Sequence, residues 1–369
     1  MKKLPALIVL FYFIITRCLA QDTAAIVSRV IFIGDAGEID REQSQVISHA
    51  AGQILKGKTT VMYLGDNIYP RGMGLPGSPE EKETQEILRS QYKPMRDNGA
   101  PVYFIAGNHD WDKSGPLGLE KMKRQGTFLA EQKDPMLKMV PDQACPGPVL
   151  ITLNANLVIV VFDSEWWLYP YNKFHKEANC SCNTEAEITA KMKVLATANK
   201  DKVIMLASHH PFQSYGIHSG RFSLMQHLFP LTALNKYLYI PLPIIGSLYP
   251  LWVNLFPKRQ DLKHRNYKRM IAETNAAFAE VSNLIHVAGH DHGLQFIKNK
   301  ASIQIVSGAG TKTSQVVKGK NAMYANAVQG YVIADFYSDK SVHFNYYAEL
   351  DSGIVETFNF VKHYTAPKD

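Results

Sequence analysis

Cysteine is scarce in this chain, four residues among 369, which excludes a disulfide-dense mini-scaffold and a zinc module built on two thiolate pairs. Lysine and arginine never run five together. The basic stripe of a nucleic-acid-binding protein is therefore missing, and no nucleic acid is expected as a partner. Nor does any stretch suit a bilayer-spanning helix. The leading apolar run is about a dozen residues where roughly 20 are needed, and a later apolar segment is broken by prolines. No internal repeat or low-complexity linker divides the chain into modules.

What is present starts with 46% apolar residues, enough for a sizeable core. Met1-Lys2-Lys3, the apolar stretch 4–15 and then Cys18-Leu19-Ala20 supply the charged, apolar and small-residue parts of a secretory signal. Residues 1–20 are expected to be cleaved near Gln21, sending the mature chain to a secreted or other extracytoplasmic location. Thr16-Arg17 do not supply the small residues that lipidation at Cys18 requires. Cleavage removes Lys2, Lys3 and Arg17 and no acid, leaving 37 cations against 33 acids, a net +4. That mild excess favours an anionic phosphate substrate without creating a polyanion surface. One disulfide is expected, from Cys145 to either Cys180 or Cys182, with one thiol left over. Asn179-Cys180-Ser181 fits the N-glycosylation acceptor pattern.

Apolar β-type runs recur at 29–33, 60–64, 101–106, 149–153, 157–162, 202–207, 284–288, 301–306 and 331–336, the last forming a hairpin with 341–347. Helix-like stretches at 41–55, 79–95, 119–132, 185–199 and 261–281 lie between them. Such alternation predicts one α/β domain, about 27–362, on largely parallel or mixed sheets. Segment 228–257 stands apart, its aromatic and aliphatic residues interrupted by Pro230, Pro241, Pro243, Pro250 and Pro257. The expected reading is an ordered apolar insertion packed on the core. Its alternative is an exposed wall that contacts a hydrophobic substrate moiety, a membrane surface or a protein. Trp166-Trp167 are likewise expected to close a core edge rather than line a substrate mouth.

Five short blocks directly follow apolar runs: GDAG (34–37), GDNIY (65–69), GNHD (107–110), SHHP (208–211) and GHDH (289–292). In α/β sheets the chemistry collects in the loops after the carboxyl ends of strands. Glycine there lets the backbone leave a strand sharply. Asp35, Asp66, Tyr69, Asn108, His209, His290 and His292 together supply the carboxylates and imidazoles that a pair of metal ions requires. Each block alone is a weak signal; all five in this order are a strong one. His210 is expected to point away from His209, because successive side chains on extended backbone face opposite ways. Asp110 is expected to orient a neighbour. His49, His175, His227, His264, His286, His343 and His363 show no ligand spacing and are taken as structural or exposed.

These residues resemble the calcineurin-like metallophosphoesterase superfamily and, within it, the purple acid phosphatases of the small, single-domain, tartrate-resistant type. Tyr69, three positions after Asp66, is the discriminating residue. The resemblance covers roughly residues 29–300. It implies a four-layer αββα sandwich of two mixed β-sheets flanked by helices, with a dinuclear metal site at the carboxyl ends of strands. By the same resemblance, Asp35, Tyr69 and His292 hold Fe(III), Asn108, His209 and His290 hold a divalent iron, zinc or manganese ion, and Asp66 bridges them. The donors suit this division, since phenolate and carboxylate are hard and anionic while imidazole and amide oxygen suit a divalent ion. His109 and His218 match positions that face substrate in that family, where an imidazolium stabilises the phosphoryl group or protonates the leaving alkoxide. His210 and Trp111 stand where the small mammalian-type enzymes carry Tyr and His.

The implied activity is hydrolysis of a small phosphate monoester by a hydroxide that the two cations generate, in an exported monomer. A phosphodiesterase, pyrophosphatase or phospholipid headgroup hydrolase would use the same metals. A non-catalytic scaffold retaining the fold would instead show eroded ligand positions, and none of the seven is missing.

Overall fold

The computed structural model describes residues 24–174, 178–222, 224–233, 237–299 and 302–364. The expected signal segment and its cleavage point lie outside the described residues, as does His175. The strands are β1 (Ile26–Ile33), β2 (Thr59–Tyr63), β3 (Val102–Phe104), β4 (Leu137–Met139), β5 (Val149–Asn154), β6 (Leu157–Val161), β7 (Val203–Ala207), β8 (Leu284–Ala288), β9 (Leu294–Lys298), β10 (Ile303–Ser307), β11 (Ala322–Asn326), β12 (Gly330–Tyr337), β13 (Ser341–Leu350) and β14 (Gly353–His363). The helices are α1 (Arg41–Gly52), α2 (Glu81–Asp97), α3 (Gly118–Glu131), α4 (Ser164–Leu168), α5 (Glu185–Ala198), α6 (Leu224–Leu228), α7 (Pro243–Leu255) and α8 (Arg265–Ala277).

Two seven-stranded sheets form, in the orders β14-β13-β12-β1-β2-β3-β4 and β11-β9-β10-β8-β7-β6-β5. Both are mixed. β1 to β4 run parallel, as do β6, β7, β8 and β10, and antiparallel strands complete the edges. Period-two alternation decides what each face meets. On β1, Val30 and Phe32 join Met62, Ile159, Val161, Met205, Val287 and Phe344 in the layer between the sheets. Ile31 and Ile33 point the other way and pack with Val46 and Ile47 of α1 and with Ile87 and Leu88 of α2. The strands are apolar on both faces because both faces are covered, and each such side chain contributes roughly 1.5–3 kcal/mol on burial. Helix starts follow ordinary capping: Asp40 accepts from the Gln43 amide at 2.6 Å, and Thr184 with Glu187 closes a capping box on α5.

Three antiparallel strands, β9, β11 and β14, and the short β4 have no counterpart among the sequence-expected runs. β11 and β14 are edge strands with half-exposed, polar-rich faces, and β9 continues from a ligand loop with no turn signal of its own. The expected disulfide is Cys145 to Cys180, and Cys182 is free and buried. Trp166 and Trp167 are buried and close a core edge.

Among the described residues of segment 228–257, several large apolar side chains face outward rather than packing on the core as expected. Its helix α7 takes Pro243 at the first turn, where the missing amide hydrogen is harmless. α7 packs mainly against α6, and Leu248, Leu251, Trp252, Leu255 and Phe256 remain exposed. Among the described residues, no helix is long and apolar enough to cross a membrane.

The seam between the parallel and antiparallel halves of the first sheet is the β1–β12 pair, where Arg29 lies opposite Asp335. Its guanidinium donates to both carboxylate oxygens, at 2.6 and 2.8 Å, and to the Gln53 carbonyl at 2.6 Å. Removing one partner leaves the other charge buried and unpaired. Asp335→Ala is therefore expected to lower unfolding free energy by about 3 kcal/mol or more, measured as a lower midpoint in chemical denaturation.

Candidate metal centre

The five blocks converge because β1, β2, β3, β7 and β8 end at the same edge of the two sheets. Gly34 donates to the Ser307 carbonyl at 2.7 Å, Asp35 to Gly65 at 3.0 Å and Gly289 to His209 at 3.0 Å, so the loops are tied to one another by backbone. The exits are tight. Gly65 has φ of +89°, and a Cβ there would lie 2.5 Å from the His209 Nδ1 atom. Three expected ligands themselves adopt the left-handed region: Asp35 at φ 56°, Asp66 at 51° and His290 at 69°. Asp and His tolerate that region better than bulky residues do, and concentration of such strain at one spot marks a functional site.

The seven expected donors form two groups with Asp66 between them. In the first, the Tyr69 hydroxyl lies 3.1 Å from Asp35 Oδ1 and 3.2 Å from His292 Nε2, and His292 Nε2 is 3.5 Å from Asp35 Oδ1. In the second, Asn108 Oδ1 lies 3.1 Å from His209 Nε2 and 3.2 Å from His290 Nδ1. Asp66 turns one oxygen to the Tyr69 hydroxyl at 3.3 Å and the other to His209 Nε2 at 3.4 Å. Donor atoms about 3 Å apart are what neighbouring ligands of a cation with bonds near 2.0–2.2 Å display.

The protonation chemistry agrees with that fit. In the second group, both imidazoles are turned by a hydrogen bond from the other nitrogen. His209 Nδ1 donates to the Leu64 carbonyl at 2.8 Å, and His290 Nε2 donates to the Gln260 carbonyl at 2.9 Å. The nitrogens facing Asn108 are thereby left as lone-pair donors. Burial, followed by the neighbouring His218, His210 and His209, pushes His290 well below the ordinary histidine range and keeps it neutral. Burial, with Asp35 and Asp66 adding to it, holds the Tyr69 phenol well above its ordinary range. A phenolate there requires a cation. Burial also raises Asp66, but the imidazoles of His209 and His109 outweigh it and hold the carboxylate below its usual value.

His109 and His218 flank opposite groups. His109 donates from Nδ1 to the Pro70 carbonyl at 2.7 Å, sets its ring edge-on to Tyr69 and brings Nε2 to 3.9 Å from Asp66 Oδ2. His218 stacks on His290 with ring centroids 4.2 Å apart, its Nδ1 held 3.1 Å from Asp261 Oδ1. Above Tyr69 sits the Lys312 ammonium, 3.9 Å from the ring centroid and paired with Glu38 at 3.0 Å. A cavity of about 340 Å³ opens beside Tyr69, Pro70, Arg71 and Lys121. A larger one of about 520 Å³, lined by Val27, Leu157, Val203 and Tyr364, lies at the amino ends of the strands, away from this chemistry.

Residues 28–294 match the model of the calcineurin-like phosphoesterase family. The chain belongs to that family. It is 23% identical over 214 residues to tartrate-resistant acid phosphatase type 5 of Rattus norvegicus, a match covering 56% of this chain and 62% of that protein. The chain thus spans less than two thirds of that curated relative. Its fold is similar to GAP50, described as the anchor in the inner membrane complex of Plasmodium, with a TM-score of 0.54 and 15% identity over 93% of this chain and 90% of that one. It is also similar to purple acid phosphatase PPD1 of yellow lupin, Lupinus luteus, with a TM-score of 0.51 and 13% identity over 91% of this chain and 54% of that one.

Behind the family's ligand loops lies a buried polar network that sequence reasoning missed. Asp163, Ser164 and Glu165 follow β6, and 163–165 is itself an acid-bearing block after an apolar run, the one signal available. Asp163 caps α4 through the Trp166 amide at 2.9 Å and accepts from the Trp111 indole at 2.8 Å. Trp111 is fully buried and so faces the core. His210 lies close enough to His209 and His290 to share a cation with them, but both its ring nitrogens are engaged, Nδ1 at 2.8 Å from Ser164 Oγ and Nε2 by the Gln260 amide oxygen. Gln260 also donates to Ser114 at 2.9 Å and to Glu165 at 2.8 Å. Asp110 clips two ligand loops together, accepting from the Gly107 and Asn67 amides at 2.8 and 3.0 Å.

Burial pushes the Glu165 carboxyl up to about 8 from an ordinary 4.5. The folded state then keeps a proton that the unfolded chain loses, so this group's contribution to stability declines as pH rises through that window and levels off above about 8. Glu165→Gln is expected to gain on the wild type by on the order of 3 kcal/mol between those limits, read as diverging melting temperatures of the metal-free proteins by calorimetry.

Proposed function

We propose that this protein is an exported, dinuclear metal-dependent acid phosphatase that hydrolyses small phosphate monoesters. The observation that carries the reading is the Tyr69 hydroxyl between Asp35, Asp66 and His292, a hard anionic donor set suited to Fe(III). A ferric ion on Asp35, Tyr69 and His292 and a divalent iron, zinc or manganese ion on Asn108, His209 and His290, sharing Asp66, would supply Lewis acidity toward the phosphoryl group and acidify water. His109 and His218, each with one nitrogen engaged by Pro70 or Asp261, would donate from the other to a phosphoryl oxygen or to the leaving alkoxide. Lys312 adds positive charge at the mouth for an incoming phosphate.

A second reading keeps the centre and changes the substrate to a phosphodiester or a phospholipid headgroup. It is favoured by one observation: the exposed apolar insertion leads directly into Gln260 and Asp261, the partners of His290 and His218. A purely anchoring role, the one named for the Plasmodium protein, is not favoured, because all seven donors are present and grouped.

The purified, iron-loaded protein is expected to absorb in the visible through Tyr69-to-Fe(III) charge transfer, and Tyr69→Phe to abolish the band. A colourless, iron-free protein with full activity would remove the ferric assignment. Turnover of p-nitrophenyl phosphate is expected to exceed that of the bis-ester by about tenfold or more; a strong preference for the diester would favour the second reading.

A further inference from the structure

The exposed side chains of the apolar insertion share one helical face. Leu248, Leu251, Trp252 and Leu255 recur at i, i+3, i+4 and i+7 of α7, each 54–63% exposed, and Phe256 at 62% extends the row past the helix end. Tyr239 and Ile240, just before α7, are also exposed. Isolated apolar residues on a surface need no explanation, but a contiguous row of five does.

Charge around this face is of one sign. No Asp or Glu occurs between Asp201 and Asp261 in a chain that carries 33 acids. Arg221, Lys258, Arg259, Lys263 and Arg265 are all exposed near the ends of the segment. Lys263 is fixed against α7 itself, its ammonium donating to the Asn254 side chain. Asp261 does not neutralise this rim, because its carboxylate is buried and engaged by His218 and the Lys258 amide.

We propose that α7 is an interfacial docking helix for an anionic lipid bilayer. Leu248, Leu251, Trp252, Leu255 and Phe256 enter the headgroup boundary, and Lys258, Arg259, Lys263 and Arg265 contact the lipid phosphates. The 13-residue helix is too short to span and so lies in the interface plane. A folded protein partner is the weaker match, since the charged residues between positions 202 and 260 are cations alone, which suits a uniformly anionic surface better than the mixed rim of a protein interface. Residues 258–261 carry two of the cations together with Gln260 and Asp261, so the docking element is joined to the metal centre through the Gln260 carbonyl on His290 and the Asp261 carboxylate on His218. Docking does not depend on which phosphate ester the centre hydrolyses.

The test is co-sedimentation of the purified protein with vesicles of phosphatidylcholine alone and with about 30 mol% phosphatidylserine. Binding to the anionic vesicles is expected, about tenfold or more tighter than to the neutral ones and weakened by salt. Leu251→Ser with Leu255→Ser, and separately Lys258→Glu with Arg259→Glu, are each expected to reduce it about tenfold or more, while p-nitrophenyl phosphate turnover in solution stays unchanged and reports an intact fold. The charge-reversed pair keeps the test decisive if the apolar pair misfolds. Failure to bind anionic vesicles, binding that both variants leave intact, or a lipid-free dimer in sedimentation velocity that the apolar pair dissolves would each overturn the proposal.

Discussion

Two buried carboxylates, Asp35 and Asp66, converge on one buried phenol, and the rest of the molecule is arranged around that crowding of oxygen acceptors. Like charges brought together out of water are unfavourable unless cations or protons compensate them. Here the compensation is divided. Backbone amides of His109 and His290 serve Asp66 and Asp35 at 2.8 Å each, imidazoles approach from the opposite side, and the phenol keeps its proton until a cation replaces it. The left-handed backbone at Asp35, Asp66 and His290 is the conformational cost of aiming these groups at one place. The glycines at 65 and 107 make the close approach of the loops sterically feasible.

The network behind the ligands extends the same logic one layer back. Burial pushes Glu165 toward its neutral form while Ser114 and Gln260 both donate to it, so hydrogen bonds organise the layer behind the expected ligands. Gln260 holds three partners at once, and its carbonyl turns the His290 ring. The residue belongs to no ligand block, yet it orients one ligand and occupies the ring of the histidine next to another.

The seven expected donors could be picked out because each lies within five residues of the end of an apolar run, so local pattern and convergence in the fold coincide. The αββα layering was legible for a related reason: strands covered on both faces read as continuous apolar runs. Gln260 and Ser114 were not, because their roles arise from loops distant in sequence that meet only in the folded chain. His210 was legible only in part. Alternation of side chains predicts that it turns from the centre, but nothing local predicts the partners that fix it there. β11 and β14 escaped because an edge strand need not bury both faces. α7 escaped because proline counts against a helix and α7 holds two, Pro243 at its first turn, where it is harmless, and Pro250 inside it; its exposed face also ran against the expectation that apolar segments pack inward.

The Arg29–Asp335 seam also bears on the order of assembly. β1 carries Asp35 at its end, and its antiparallel neighbour β12 lies some three hundred residues further along the chain. During synthesis, β1 therefore has one edge open until the chain has emerged past β12, and the loops grouped around Asp35 cannot be fully braced before then. Such non-local pairing is slow to form. Bracing of the loops around Asp35 is accordingly a late event, one that waits for β12 to pair with β1.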